Sequence, residues 1–215
     1  VGSPEGLHFD DEGRLYVCES SYDKIIVFDT SGIVLREFGQ DSLDVPVDIT
    51  TDRNGNAFIA DIGRREVLMF DSTGILVQTW NGMDSASFGN LRYMGSIACD
   101  TGGNVYVTNY DLDIIRAFDP MGNSIGRYGS TGTGNGELDT PHGIEIDGDG
   151  AIYVCDNGNA RVLILNSAYA FQSSWTVGNS FYVCVDGEGS FYTTRGYDSP
   201  PTVLYTNPRD SSTAV

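Results

Sequence analysis

The feature that most constrains this chain is a turn that keeps returning. An Asp-x-x-Gly tetrapeptide follows a short apolar run at Asp10–Gly13, Asp52–Gly55, Asp100–Gly103, Asp147–Gly150 and Asp186–Gly189, with spacings of 42, 48, 47 and 39 residues. A second run follows each turn: Leu15-Tyr16-Val17, Ala57-Phe58-Ile59, Val105-Tyr106-Val107, Ile152-Tyr153-Val154 and Ser190-Phe191-Tyr192. A third run ends in Phe28-Asp29, Phe70-Asp71 and Phe118-Asp119, each with a glycine three residues on, and in Leu165-Asn166 and Tyr205-Thr206 in the last two copies. A fourth run follows at 34–38, 76–80, 125–128 and 171–175. Runs rich in Val, Ile, Tyr and Phe suit a pleated, half-buried surface. The Asp side chain caps its own turn, and Gly supplies the positive φ of a tight hairpin.

Four strands per unit, repeated, describe sheets that cannot each cover both faces but can pack on one another. The predicted fold is therefore an all-β propeller with five recognisable repeats, at about 3–43, 44–90, 91–138, 139–179 and 180–215, in a single domain spanning 1–215. No stretch carries a sustained 3.6-residue apolar stripe, so helices should be almost absent. Repeat five shows no convincing fourth strand after Tyr205, and Val1 lies just before the first inner strand. Three completions stay open: a five-blade ring, which is the expectation adopted, a six-blade ring with a blade outside this sequence, or an edge completed by a neighbouring subunit.

Charge narrows the partners. Twelve Lys and Arg against 30 Asp and Glu give a net charge of −18. Such a surface repels phosphate backbones and anionic headgroups and favours cations and basic partners, so nucleic acid is not an expected partner. No apolar run approaches the roughly 18 residues of a membrane span, so no membrane insertion is expected. The four cysteines, Cys18, Cys99, Cys155 and Cys184, form no CxxC pair and read as buried thiols. With only His8 and His142 to assist them, a zinc site is not expected. No N-x-[ST] sequon occurs. The chain begins at Val1 without a signal peptide, which reads as processing or as part of a longer protein; the expected setting is extracellular or cell-surface.

The repeat pattern resembles the NHL repeat. Pro4-Glu5-Gly6-Leu7 through Lys24-Ile25-Ile26-Val27-Phe28-Asp29 carries the likeness in the first copy, and Pro141-His142-Gly143-Ile144-Glu145-Ile146-Asp147 through Asn157-Gly158-Asn159-Ala160-Arg161-Val162 in the fourth. The Trp-Asp pairs of WD40 blades are missing, since Trp80 precedes Asn and Trp175 precedes Thr. The resemblance implies a propeller, most often six-bladed. Its enzymatic branch is the peptidyl-amidoglycolate lyase, which holds zinc with histidines. Only His142 matches such a ligand motif; Glu5, Val47 and Met94 or Gly95 stand at the corresponding places. Three histidine ligands cannot come from two histidines, so no catalytic residue, cofactor or metal is assigned and the chain reads as not an enzyme. No G-x-S-x-G elbow appears. The carboxylates at Asp10-Asp11-Glu12 and Asp147–Gly150 lack EF-hand spacing and read as ordinary turns.

Strand alternation places the loops between second and third strands, and those between blades, on one side. The expected ligand face there comprises Tyr22, Asp61, Arg64, Arg65, Tyr110, Asp156, Asn159, Arg161, Arg195 and Tyr197, with Met83 and Phe88 in the 81–90 loop and a Gly/Thr/Ser-rich stretch at 129–140. Tyr beside carboxylates and Arg suits a protein, peptide or glycan. The expected function is thus non-catalytic recognition, with self-assembly into a filament or lattice as the alternative and a lyase or hydrolase as the second alternative.

Overall fold

The computed structural model describes residues 2–81, 91–186, 189–195 and 202–206. Among them the strands are β1 Pro4–Phe9, β2 Leu15–Glu19, β3 Lys24–Phe28, β4 Val34–Phe38, β5 Pro46–Thr51, β6 Ala57–Asp61, β7 Glu66–Phe70, β8 Leu76–Trp80, β9 Met94–Cys99 and β10 Val105–Asn109. They continue as β11 Ile114–Phe118, β12 Ser124–Tyr128, β13 Pro141–Ile146, β14 Ile152–Asp156, β15 Arg161–Leu165, β16 Phe171–Thr176, β17 Ser180–Val185, β18 Phe191–Arg195 and β19 Thr202–Thr206. Consecutive strands pair into four four-stranded meanders and one sheet, β17-β18-β19, with three described strands. The helical element among the described residues is a single turn at Leu91–Tyr93. An all-β propeller of five repeating sheets is thus the fold.

Each Asp of the recurring turn works locally. Asp52 Oδ1 accepts the backbone N–H of Asn54 and Asn56, both at 2.9 Å, and its Oδ2 accepts Asn56 Nδ2 at 2.8 Å. Asp29, Asp71 and Asp119 repeat this arrangement at the hairpins between third and fourth strands. Gly122 closes one of these turns at φ +81°, where a side chain is strained whatever the space, and here a Cβ would also strike the Trp80 indole.

Two compact units divide the described chain, one formed by 1–107 with 117–125, the other by 108–116 with 126–215; the division runs through the third sheet. In the first unit, Tyr16, Cys18, Ile25, Val27 and Phe38 of sheet one share a core with Ile49, Ala57, Ile59, Leu68 and Phe70 of sheet two. The period-two alternation of β6 sends Phe58 and Ala60 the other way, into a core with Trp80, Met94, Ile97, Val105 and Phe118. Each fully buried Val, Leu, Ile, Phe or Met among them contributes about 1.5–3 kcal/mol. In the second unit, Tyr153, Cys155, Val162 and Ile164 pack with Val183 and Phe191. There Gly143 lets two inner strands approach closely: a Cβ would lie 2.7 Å from the Phe181 carbonyl oxygen.

The inner strands are bulged. Pro141 pairs with Asp156 and Ile144 with Val154, so three steps on β13 oppose two on β14; Ser180 and Val183 of β17 repeat the irregularity. A bulge re-aims the side chains it contains, here His142 and Phe181.

The four cysteines are free thiols, and Cys18 and Cys155 are buried as expected. Cys99 is only half-buried, and Cys184 is exposed, contrary to the buried reading. The cause is that β17 presents Cys184 beside Tyr182 and Tyr192 on a side of the sheet that is open to solvent.

Candidate functional site

The loop side is built on carboxylates at the ends of the second strands. Glu19, Asp61 and Asp156 are each fully buried at that strand end. Glu19 accepts the backbone N–H of Gly2, of Ser3 at 2.7 Å and of Ser21 at 3.2 Å. Burial works against its charge, but these donors hold the carboxyl below the usual carboxylate range. Asp61 accepts the N–H of Asp44 at 2.6 Å and of Arg64 at 2.9 Å, and burial pushes its carboxyl above the usual value. Asp156 accepts the N–H of Asp139 at 2.7 Å, Asn159 Nδ2 at 2.8 Å and Arg161 Nε at 2.7 Å. Each carboxylate therefore ties the segment leading into its own blade to the loop that follows.

A second set of ties joins neighbouring repeats. Within the first unit, Asp23 Oδ1 accepts the N–H of Val45 at 3.1 Å. Within the second, Asp113 accepts the Thr140 N–H at 2.8 Å and Thr131 Oγ1 at 2.6 Å. Val45 and Thr140 both sit at positive φ, 96° and 49° respectively, an uncommon conformation for β-branched residues.

These ties redistribute the residues predicted for the ligand face. Asp61 and Asp156 are not presented to solvent; their oxygens are engaged by the lead-in segments. Arg161 is spent as well: besides its pair with Asp156 it donates to the carbonyls of Thr133, Gly134 and Glu137, and Asn159 donates to the Gly132 carbonyl. The Gly-rich stretch at 129–140 is consequently pinned in place. Tyr22, Arg64 and Arg65 are exposed in the first unit. Tyr110 is half-buried in the second. The backbone of Arg195 ends β18, while Tyr197, Met83 and Phe88 lie outside the described residues.

The second unit also holds a cluster that sequence reasoning did not assemble. The Tyr110 and His142 rings lie 5.0 Å apart, centroid to centroid, and His142 lies 4.8 Å from Phe181. All three side chains are half-buried. Thr108 Oγ1 donates to the His142 carbonyl and fixes the bulge. Burial lowers the His142 pKa, which keeps the imidazole neutral at physiological pH. The result is an aromatic ledge with one uncharged polar edge. The signal available in the sequence was the second residue of each inner strand, occupied by Glu5, Val47, Gly95, His142 and Phe181.

The turn side offers less to a ligand. Asp147 Oδ1 accepts the N–H of Asp149 and Ala151, and its Oδ2 accepts Tyr153 Oη at 3.2 Å. Asp10 is likewise engaged by Glu12, by the Arg14 N–H and by Arg14 Nε. Among the described residues, no group of three or more His, Cys, Asp or Glu is placed to hold a metal ion.

Sheet architecture alone makes this a β-propeller. The NHL-repeat family model matches residues 138–165, the stretch holding β13, β14 and β15, so the fourth of the five sheets carries an NHL repeat. Among curated proteins, no relative matches. Solved structures similar in fold include a catalytically inactive histidine-to-alanine variant of virginiamycin B lyase from Staphylococcus aureus with quinupristin: 13% identity, TM-score 0.73, covering 97% of this chain and 68% of that one. A chain of the nidogen/laminin complex matches at 20% identity and TM-score 0.74, over 95% of this chain and 75% of that one. A gluconolactonase from Xanthomonas campestris matches at 18% identity and TM-score 0.71, over 94% and 71%. The fold thus serves binding proteins and enzymes alike.

Proposed function

We propose that this propeller is a recognition module, without catalysis, that holds a protein or peptide segment, or a glycan, on its loop side. The observation that carries this reading is the Tyr110–His142–Phe181 ledge. Half-buried rings offer large apolar area at low conformational cost, and a neutral imidazole edge adds a hydrogen bond without a charge to desolvate. The pinned 129–140 stretch supports it, because a fixed loop loses little entropy on binding. The nidogen/laminin complex, as a structural neighbour, favours a protein segment among the three ligand classes. Peptide and glycan arrays probed with the intact protein, then with Tyr110→Ala and Phe181→Ala, test the reading. Loss of at least tenfold in affinity for any captured ligand is expected in both variants. Unchanged affinity in both would remove the ledge from the site.

A second reading, catalysis at His142, draws on the lyase neighbour that is inactive as a histidine-to-alanine variant. The neutral imidazole is competent as a general base. Turnover of lactone or cyclic-depsipeptide substrates that disappears in His142→Ala would favour it over recognition.

A further inference from the structure

Ring pairs in the cores are tilted: Phe38–Phe70 and Trp80–Phe118 have centroids 5.1 and 5.7 Å apart and planes inclined by 54° and 33°. Offset or tilted packing is what the ring quadrupoles favour. Tyr128 and Tyr169, both half-buried in the second unit, depart from it. Their centroids are 3.4 Å apart and their planes 10° apart, one ring squarely over the other.

Two features hold the stack. Gly126 stands two places before Tyr128 on the same face of β12 and leaves the space that the ring fills, since a Cβ there would strike the Tyr128 hydroxyl, Cζ and Cε2. The Tyr128 hydroxyl is also hydrogen-bonded to Tyr169; burial and this bond together raise its pKa, so the phenol is neutral at physiological pH. The partner ring comes from the turn between β15 and β16, where Tyr169 sits at φ 61°.

The stack brings together the atoms at which phenols couple on oxidation, the ortho carbons beside each hydroxyl carbon. When two six-membered rings share an axis, an ortho carbon of one lies within one ring position of an ortho carbon of the other, however the rings are turned. At this separation the two are in van der Waals contact. The hydrogen bond between the hydroxyls brings them nearer to coincidence.

We propose that Tyr128 and Tyr169 form an oxidative cross-linking site, joined as dityrosine by a haem peroxidase and hydrogen peroxide. Each phenol gives up one electron and one proton and becomes a neutral phenoxyl radical. The two unpaired electrons form a C–C bond between ortho carbons; each of these carbons then loses its proton and each oxygen regains one, which restores both phenols. Peroxide takes up the two electrons and two protons and leaves as two waters. The rings open about the new bond as they leave the stack, and the exposed Ser167, Ala168 and Ala170 around Tyr169 leave that turn room to follow. The bond ties the end of β12 to the β15–β16 turn. It uses none of the ledge residues and goes beyond the recognition reading.

Tyr192 and Tyr205 supply an internal comparison: they are more open to solvent, at 37% and 38% exposure, but lie 5.0 Å apart and tilted by 44°. If exposure chose the site, that pair would react first. The intact protein, dilute and treated with the peroxidase and peroxide, should gain dityrosine fluorescence with no gain in mass on size exclusion. Tandem mass spectrometry of a digest should find the cross-link between the peptides carrying Tyr128 and Tyr169, with two hydrogens lost. Tyr128→Phe and Tyr169→Phe should each lower the fluorescence yield at least tenfold. Gly126→Ala, which keeps both tyrosines and displaces the Tyr128 ring, should lower it at least threefold, while Tyr192→Phe leaves it unchanged. Absence of dityrosine in the unaltered protein, cross-linking chiefly at another pair or between copies, or an undiminished yield in any of the first three variants would overturn the proposal. The measurement on the unaltered protein does not depend on whether a variant folds.

Discussion

The turn side and the loop side of this propeller spend the same residue type in different ways. On the turn side, Asp52 holds the N–H groups of residues two and four places ahead, so its contacts are complete within one hairpin. On the loop side, Asp156 holds Asp139, 17 residues back, and Asp113 holds Thr140, 27 residues ahead. The first carboxylate shapes a turn; the second decides whether a blade is joined to what precedes it. Much of the acidity of the chain is thereby structural, and counting carboxylates on the loop side overstates what a ligand would meet.

If the long ties carry more stability than the short ones, substitution must separate the two sides. The largest effect is expected from Asp156→Ala, which leaves the Arg161 guanidinium largely buried without its partner and releases the Asp139 N–H. A loss of about 3–5 kcal/mol in urea unfolding is the expected outcome, and a loss no greater than that of a turn Asp would break the comparison. Asp48 sharpens it from the opposite direction. Its carboxylate is buried among sheets, accepting Ser96 Oγ at 2.5 Å and the Ile97 N–H at 3.0 Å, but burial still raises its pKa to about 6. Because the folded protein holds this proton more tightly than the unfolded chain, stability falls as pH rises from about 4 through about 6. Asp48→Asn should therefore gain about 2–3 kcal/mol at pH 7 and almost nothing at pH 4, as thermal melts at the two pH values would show. On the turn side, Asp52→Ala should cost about 1 kcal/mol, since its donors can turn to water. The smallest effect is expected at Val45, whose N–H is tied to Asp23 and whose φ is 96°. Val45→Gly should add about 0.5–1 kcal/mol by relieving the left-handed conformation while keeping the tie, measured by the same melts.

What the sequence disclosed follows the same division. The Asp-x-x-Gly turns and the strands between them were legible, because each Asp finds its donors within four residues. The five sheets follow from that period. The role of Asp61 and Asp156 was not legible: at the end of an apolar strand, beside Tyr and Arg, a carboxylate reads as a ligand-face residue unless its distant N–H partner is known. Arg161 misled for the same reason, as the carbonyls it holds lie 24 to 28 residues upstream. The ledge was hidden by chain distance too, since Tyr110, His142 and Phe181 come from three different repeats. Cys184 was not legible as an exposed thiol, because its spacing does not disclose that Tyr182 and Tyr192 share a solvent-facing side of the sheet with it.

The anchored strand ends leave a defined interval between them. Residues 20–23, 62–65, 110–113 and 157–160 each span four places between a second strand and its third. These intervals are only partly free: the left-handed fourth place carries the Asp23 and Asp113 ties in two of them, Asn159 holds the Gly132 carbonyl, and a Cβ at Gly63 or Gly158 would strike Asp44 or Asp139. What is left to exchange is the exposed remainder, such as Tyr22 and Arg64, where new side chains can be written while the sheet beneath keeps its register.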